Sequence, residues 1–286
     1  MYLDEALRLY FADRNLRPKT ERDYTSVLNC HAGDLFAVPV KDWTREQIER
    51  LILNVQDESI ANANKLKRVL QAIWRWMAME YPDEPEYRAE PFVKVGKKLK
   101  KVKPRKGRLY KDDFPFFFAQ VASLPRIDAA WMTMLLYTAL RHRSCALMRW
   151  EWIDWSRGVI AIPGDEMKNH DDHECVLSAL PMELLRRLHA RQRHPKTGLV
   201  FPDLDARCYE DIKLPSGRSA MPHNLRRTHG SIMKELGYDV DVRKRVLGHR
   251  LSDVTENYCI DSDDSLREVN ERVLGAILGH VQQQVA

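Results

Sequence analysis

Residues 94–108, KVGKKLKKVKPRKGR, carry nine Lys or Arg and no acid, and this run constrains the fold more than any other feature of the chain. Cations packed that densely stay in water or meet an anionic partner, because burying them unpaired is prohibitive. The chain has 286 residues, long for one domain, so the tract reads as a linker between two. The expected division is a first domain over residues 1–93, a linker over 94–108 and a second domain over 109–286. The net charge is +5, and the chain without the tract nets −4, so one short segment makes the protein basic. A strap along a phosphate backbone, where each Lys or Arg releases a counterion, fits this composition. A solvated linker without a partner fits it equally well.

Composition excludes several classes. The apolar share of 44% is ordinary for a globular chain, and no stretch approaches the roughly 18–20 apolar residues of a membrane span. The opening MYLDEALRLYFADRN lacks the basic, apolar and small-residue order of a secretory signal. The five cysteines, Cys30, Cys145, Cys175, Cys208 and Cys259, are scattered and form no CxxC pair. They read as reduced thiols of a cytoplasmic protein.

Before the tract the periodicity is helical. Leu3, Ala6, Leu7, Tyr10 and Phe11 share one stripe; Pro18 interrupts, and Thr20 is placed to cap the next helix. Thr44 with Gln47 fits a capping box, and Ser59 can cap a long helix with core residues Ile60, Leu66, Val69, Leu70, Ile73, Trp74 and Met77. Lys65, Lys67, Arg68 and Arg75 decorate that helix, as a solvated face or as contacts to a duplex. After the tract, helices are expected from Asp112 to about Leu124 and from Ile127 to Leu140, with a short one over RSCALMRW. GVIAIP and HECVLSA then read as a hairpin. Helices resume over PMELLRRLHARQR, His223–Leu236, Val240–Leu247 and the C-terminal stripe Leu266, Val269, Val273, Ile277 and Val281. The expected fold is mainly α with a small β-sheet: a helical domain followed by a mixed α+β one.

Four segments of the second part carry chemistry-bearing residues. YTALRHRSCALMRW places Arg141 after an apolar helix, and MKNHDDH puts Lys168 in the hairpin turn. HNLRRTHGS sets His223 and Arg226 three apart on one helix face, and LGHRLSDVTENY places His249 nine residues before Tyr258. Taken singly, an Arg at a helix end caps carbonyls, a Lys in a turn is exposed, and a Tyr near a terminal helix packs. His170, His173 and Cys175 lie close enough to suggest zinc, but a fourth ligand is missing, and exposed hairpin residues are the expected reading.

Together, these segments resemble a known family. TALRHRSCALMRWEWID is similar to the first signature box of the tyrosine recombinases, which include the phage-type integrases. HNLRRTHGS followed by LGHRLSDVTENY resembles their second box, in the right order and separation. Lys168 lies between the boxes, on a hairpin resembling the family's lysine-bearing one. The resemblance implies that Arg141, Lys168, His223, Arg226 and His249 form a pocket and that Tyr258 is the nucleophile. FADRNLRPKTERDY is similar to the family's core-site-binding domain. Under that reading Lys65, Arg68, Arg75, Lys97, Lys98, Lys100, Lys101, Lys103, Arg105 and Lys106 are the expected DNA contacts. Ser144 stands where the family usually has an acid, and Ala139 where it usually has Gly before Leu140. The extra arm-binding domain of many phage integrases has no counterpart in this sequence.

These residue types suit attack on a phosphodiester. Negative charge grows on the non-bridging oxygens, and Arg141 and Arg226 can hold it in fixed forks at any relevant pH. His223 is placed to accept the tyrosine proton, and the resemblance implies Lys168 as general acid for the departing 5′-oxygen. Cationic side chains do the work of a metal, and no carboxylate cluster of the Mg²⁺-binding kind is visible. The expectation is metal-free site-specific recombination of double-stranded DNA without a cofactor. A tetramer on DNA is expected, with accessory bending or directionality proteins possible. A type-IB topoisomerase and a DNA-binding protein with altered catalysis are the alternatives. The C-terminal stripe serves either docking on a neighbouring protomer or packing on its own domain.

Overall fold

A computed structural model describes residues 1–103, 107–167, 170–202, 204, 212–249 and 262–282, apart from the side chain at position 88. The chain separates into two compact units, Met1–Arg105 and Lys106–Ala286. No helix among the described residues is long and apolar enough to cross a membrane.

The first unit is helical: α1 (Leu3–Arg14), α2 (Pro18–His31), α3 (Arg45–Glu58), α4 (Ile60–Glu80) and α5 (Val93–Lys98). Thr44 starts α3 as expected, its Oγ1 accepting from Gln47 N–H (3.2 Å) while Gln47 Oε1 accepts from Thr44 N–H (3.0 Å). Ser59 starts α4 by accepting from Asn62 N–H (3.3 Å). Thr20 does not cap α2. Pro18 is its first residue, because a ring without an N–H suits a position whose N–H has no helical partner. The core gathers on α4, whose Leu66, Leu70, Ile73, Trp74 and Met77 are buried with Leu3, Leu28, Ile48 and Ile52 of the earlier helices. Trp76 Nε1–H donates to Asp13 Oδ2 (3.0 Å), fastening α4 to α1.

The basic tract does not run free from residue 94. Val95 is buried and Leu99 packs on the same core, so the first half of the tract belongs to this unit. Lys100 N–H donates to Gln56 Oε1 (2.6 Å), and Lys98 pairs with Glu49. Two apolar residues four apart among the cations decide this, since one helical turn puts both on the same face.

The second unit contains α6 (Phe114–Ala122), α7 (Arg126–Thr138), α8 (His142–Ala146), β1 (Ile153–Asp154), β2 (Val159–Ile162), β3 (His173–Val176), α9 (Ala179–Arg191), α10 (Pro222–Glu235), α11 (Val240–Val246) and α12 (Asp263–Gln282). The expected hairpin is β2–β3, antiparallel with Ile160 opposite Cys175 and Ile162 opposite His173; β1, unforeseen, adds a third antiparallel strand beside β2. At the centre lies α7, buried on several sides through Trp131, Met134, Leu135 and Leu136. The stripe of α12 packs on its own unit: Val269, Val273, Leu274 and Ile277 are buried in that core. A buried polar chain runs beneath them. His229 Nδ1 lies 3.1 Å from Leu136 O, its Nε2 lies 3.2 Å from Asn270 Oδ1, and Asn270 Nδ2–H donates to Val176 O (2.8 Å).

Two substitutions test these local readings. Thr44→Ala removes the box that starts α3 and lowers the stability of the first unit by about 1 kcal/mol, read from hydrogen exchange of the α3 amides. Ala139, the residue ending α7, has φ 54°, a left-handed conformation that a side chain disfavours. Ala139→Gly relieves that cost against a smaller gain in unfolded-state freedom, and stabilises the second unit by roughly 0.5–1 kcal/mol. An unfolding temperature for that variant at or below the parent's contradicts the strain.

Candidate active site

Two chain reversals bring the pocket together. The left-handed turn at Ala139 ends α7 and aims its carbonyl at α10, where it accepts from Arg226 Nη1 (2.6 Å). Arg141 follows two residues later as the N-cap of α8. At the far side Gly248 follows the end of α11, and its φ of 55° lets Gly248 N–H reach Arg245 O and His249 N–H reach Lys244 O, both at 2.9 Å. That closure leaves the carbonyls of Leu247 and Gly248 to the two arginines: Arg226 Nη2 donates to Leu247 O, and Arg141 Nη2 donates to Gly248 O (3.1 Å).

Arg226 is only 6% exposed. Its Nη2 also lies 2.9 Å from His249 Nε2, and because a guanidinium can only donate, that nitrogen is an acceptor and His249 is neutral. Loss of solvent, and then the positive charges of Arg226 and Arg141, lower the His249 pKa in agreement. Burial, followed by the like charge of Arg141, lowers Arg226 to about 10, and burial lowers Arg141 too. Neither guanidinium has a carboxylate partner among the described residues, and Arg141 Nη1 is buried without a hydrogen-bond partner. Two uncompensated cations beside a neutral imidazole form a receptor for an anion.

His223 occupies the first turn of α10, three residues before Arg226, and its side chain is exposed. Lys168 and Tyr258 lie outside the described residues. Ser144 is buried, its hydroxyl 3.6 Å from Met167 Sδ, so the position that resembles the family's acid here supports the residue before Lys168. Of the three residues weighed for zinc, His170 is exposed with φ 58°, while Cys175 is buried with Sγ 4.0 Å from Thr138 O. Among the described residues, no group of three or more His, Cys, Asp or Glu converges.

His173 departs from the expectation of an exposed hairpin residue. It shares a strand face with buried Cys175, as period two requires, and its ring lies against Gly248. Its Nε2 is buried without a partner among the described residues. Burial, then Arg226 and Arg141, bring its pKa down to about 4. The signal was present in the alternation HxC, with Cys175 and Val176 opening an apolar run.

The expected DNA contacts are unevenly available. Lys65 lies 3.9 Å from Asp23, Arg75 pairs with Glu90 (3.2 Å), Lys98 pairs with Glu49, and Arg68 Nε–H donates to Asn64 O (3.4 Å). Surface pairs of this kind are weak enough to exchange for phosphate. Lys97, Lys100, Lys101 and Lys103 are exposed; Arg105 and Lys106 lie outside the described residues.

Comparison with known proteins identifies the family and the fold. The phage integrase family model matches residues 108–264. Prophage integrase IntZ of Escherichia coli (strain K12) is 24% identical over 192 residues, covering 66% of this chain and 44% of that protein. The match thus spans less than half the length of this curated relative. The Tn1549 transposon integrase in complex with transposon right-end DNA superposes with a TM-score of 0.67 at 16% identity, over 95% of this chain and 99% of that one. A lambda integrase dimer bound to a COC′ core site gives 0.63 at 18% identity, over 92% and 99%. A lambda integrase tetramer bound to a Holliday junction gives 0.62 at 16%, over 89% and 79%. These structural likenesses establish a shared fold, and the matched family accounts for more than half of the sequence: the chain belongs to the phage integrase family.

Proposed function

We propose that this protein cuts and rejoins double-stranded DNA at specific sites through a covalent link between Tyr258 and a 3′-phosphate. The observation that carries this reading is the pair Arg141 and Arg226, held beside His249 with no carboxylate partner among the described residues. Such a pair costs stability when empty, because like charges are held together out of water, and that cost is recovered when a phosphate oxygen enters.

In this reading Tyr258 Oη attacks the scissile phosphorus, and the bond from phosphorus to the 5′-oxygen breaks. His223 takes the phenolic proton and Lys168 supplies one to the leaving 5′-oxygen. A phenol with a reference pKa of about 10 is a poor nucleophile, so the positive pocket must favour its phenolate. The tyrosyl ester conserves the phosphodiester energy, so a 5′-hydroxyl can reverse the step without ATP. The guanidiniums supply the charge stabilisation.

The first unit and the basic tract serve as the DNA clamp in this reading, with Lys97, Lys100, Lys101 and Lys103 as backbone contacts and Lys65, Arg68, Arg75, Lys98, Arg105 and Lys106 beside them. Exchange of strands between two duplexes uses four active sites, so the acting species is a tetramer on DNA, as the lambda relative forms on its junction. Accessory DNA-bending or directionality proteins are compatible with this assembly, and the reaction belongs in the cytoplasm.

Nicked duplexes tiling the DNA that flanks the gene test the reading. Wild-type protein forms an adduct stable on a denaturing gel, in EDTA and without ATP, and Tyr258→Phe forms none. Arg226→Lys keeps the charge but loses the fork, and slows adduct formation by roughly 10²–10³-fold. No adduct from wild type on a duplex it binds specifically rejects the enzyme in favour of a binding protein. Relaxation of any supercoiled plasmid without site preference indicates topoisomerase activity.

A further inference from the structure

We propose that His173 is a further phosphate-contacting residue of this pocket, its Nε2–H donating to an oxygen of the same anion that Arg141 and Arg226 grip. The inference rests on the strand-transfer reading above and extends its list of working residues.

Among the described residues, the side-chain nitrogens Arg141 Nη1 and His173 Nε2 of the pocket region are buried without a hydrogen-bond partner. Both side chains meet the same residue. Arg141 donates through Nη2 to Gly248 O, and a Cβ built on Gly248 would lie 3.0 Å from Cγ and Nδ1 of His173 and 3.1 Å from its Cδ2. The near half of the imidazole is thus stacked on Gly248, while Nε2 is at the far end of the ring. A buried polar group left unsatisfied is costly, and two around one glycine indicate a ligand that satisfies both. An anion is that ligand, because Arg141, Arg226 and His249 surround the site and none of them offers His173 a negative partner. Among the described residues, the acid acting electrostatically on its ring is Glu174, which is exposed on the other strand face and bound to Arg157 (2.8 Å).

Burial, and then the positive charge of Arg226 and Arg141, keep the ring neutral, and a neutral imidazole offers one N–H. The strand holds the ring. Asn270 of α12 donates to Val176 O, and Arg267 donates to Leu177 O and to Arg157 O (2.7 Å), clamping the end of β3. A donor on a clamped strand is preorganised, which is what makes such a group effective at a transition state.

The test separates the far nitrogen from the packing of the ring. His173→Leu keeps an apolar contact with Gly248 and removes both nitrogens; His173→Gln returns an N–H near the position of Nε2; His173→Asn returns one only near Nδ1. On any duplex where wild type forms the Tyr258 adduct, Leu and Asn slow single-turnover cleavage by roughly 10²–10³-fold, and Gln recovers at least about tenfold. Unfolding temperatures and duplex affinities stay at the wild-type level. Inorganic phosphate titrated onto the ¹⁵N-histidine-labelled full chain shifts the His173 Nε2 resonance, and that shift is reduced in Arg226→Lys. Leu cleaving within threefold of wild type, Gln no better than Leu, or a His173 resonance unmoved by phosphate overturns the proposal while leaving the recombinase reading intact. Absence of a wild-type adduct on specifically bound DNA overturns both.

Discussion

The buried guanidinium of Arg226 is the interaction on which the second unit's site depends. A cation 6% exposed is tolerated only where fixed dipoles replace water, and here two backbone carbonyls do so, Ala139 O and Leu247 O. Each comes from a chain reversal with positive φ at or next to it, Ala139 at the end of α7 and Gly248 at the end of α11. Turning those carbonyls inward ties α7, α10 and α11 at one point. It also leaves the outer edge of the charge without a neutralising acid among the described residues, so the group that holds the pocket together is the group that draws in an anion.

A second layer supports the first. His229, one turn along α10 from Arg226, continues the polar chain to Leu136 O, Asn270 and Val176 O. Helix α12 therefore does more than cover apolar surface. Through Asn270 and Arg267 it fixes β3, and Arg157 bridges Glu174 of that strand to Asp263 at the start of α12. The strand then carries His173 to Gly248, which closes the circle of elements around the arginines.

Much of the local structure was legible. The capping box at Thr44, the Ser59 cap and the β2–β3 hairpin are local signals whose energies are settled within a few residues, and all three appear where periodicity and turn chemistry put them. Thr20 failed as a cap because Pro18 could start the helix three residues earlier. The basic tract misled in a different way. Its charge suggested a free linker, but Val95 and Leu99 could reach a core whose position no local pattern reveals. The C-terminal stripe was open between two fates for the same reason, since an amphipathic face states that it will be buried and not against what.

The sequence by itself determined the helices, the hairpin and the order of the chemistry-bearing residues, because caps, periodicity and motif spacing are properties of neighbours along the chain. Its resemblance to a known family also marked Ala139 as standing where that family usually has Gly. Tertiary structure decided that this alanine sits at φ 54° with its carbonyl on Arg226, and that Ser144 faces a methionine sulfur. It decided too that the His173 ring lies against Gly248 with its Nε2 buried. Burial and orphaned hydrogen bonds arise only when segments distant in sequence meet, here residues 139–141, 173, 226 and 247–249, and no local pattern encodes which carbonyl a guanidinium will find.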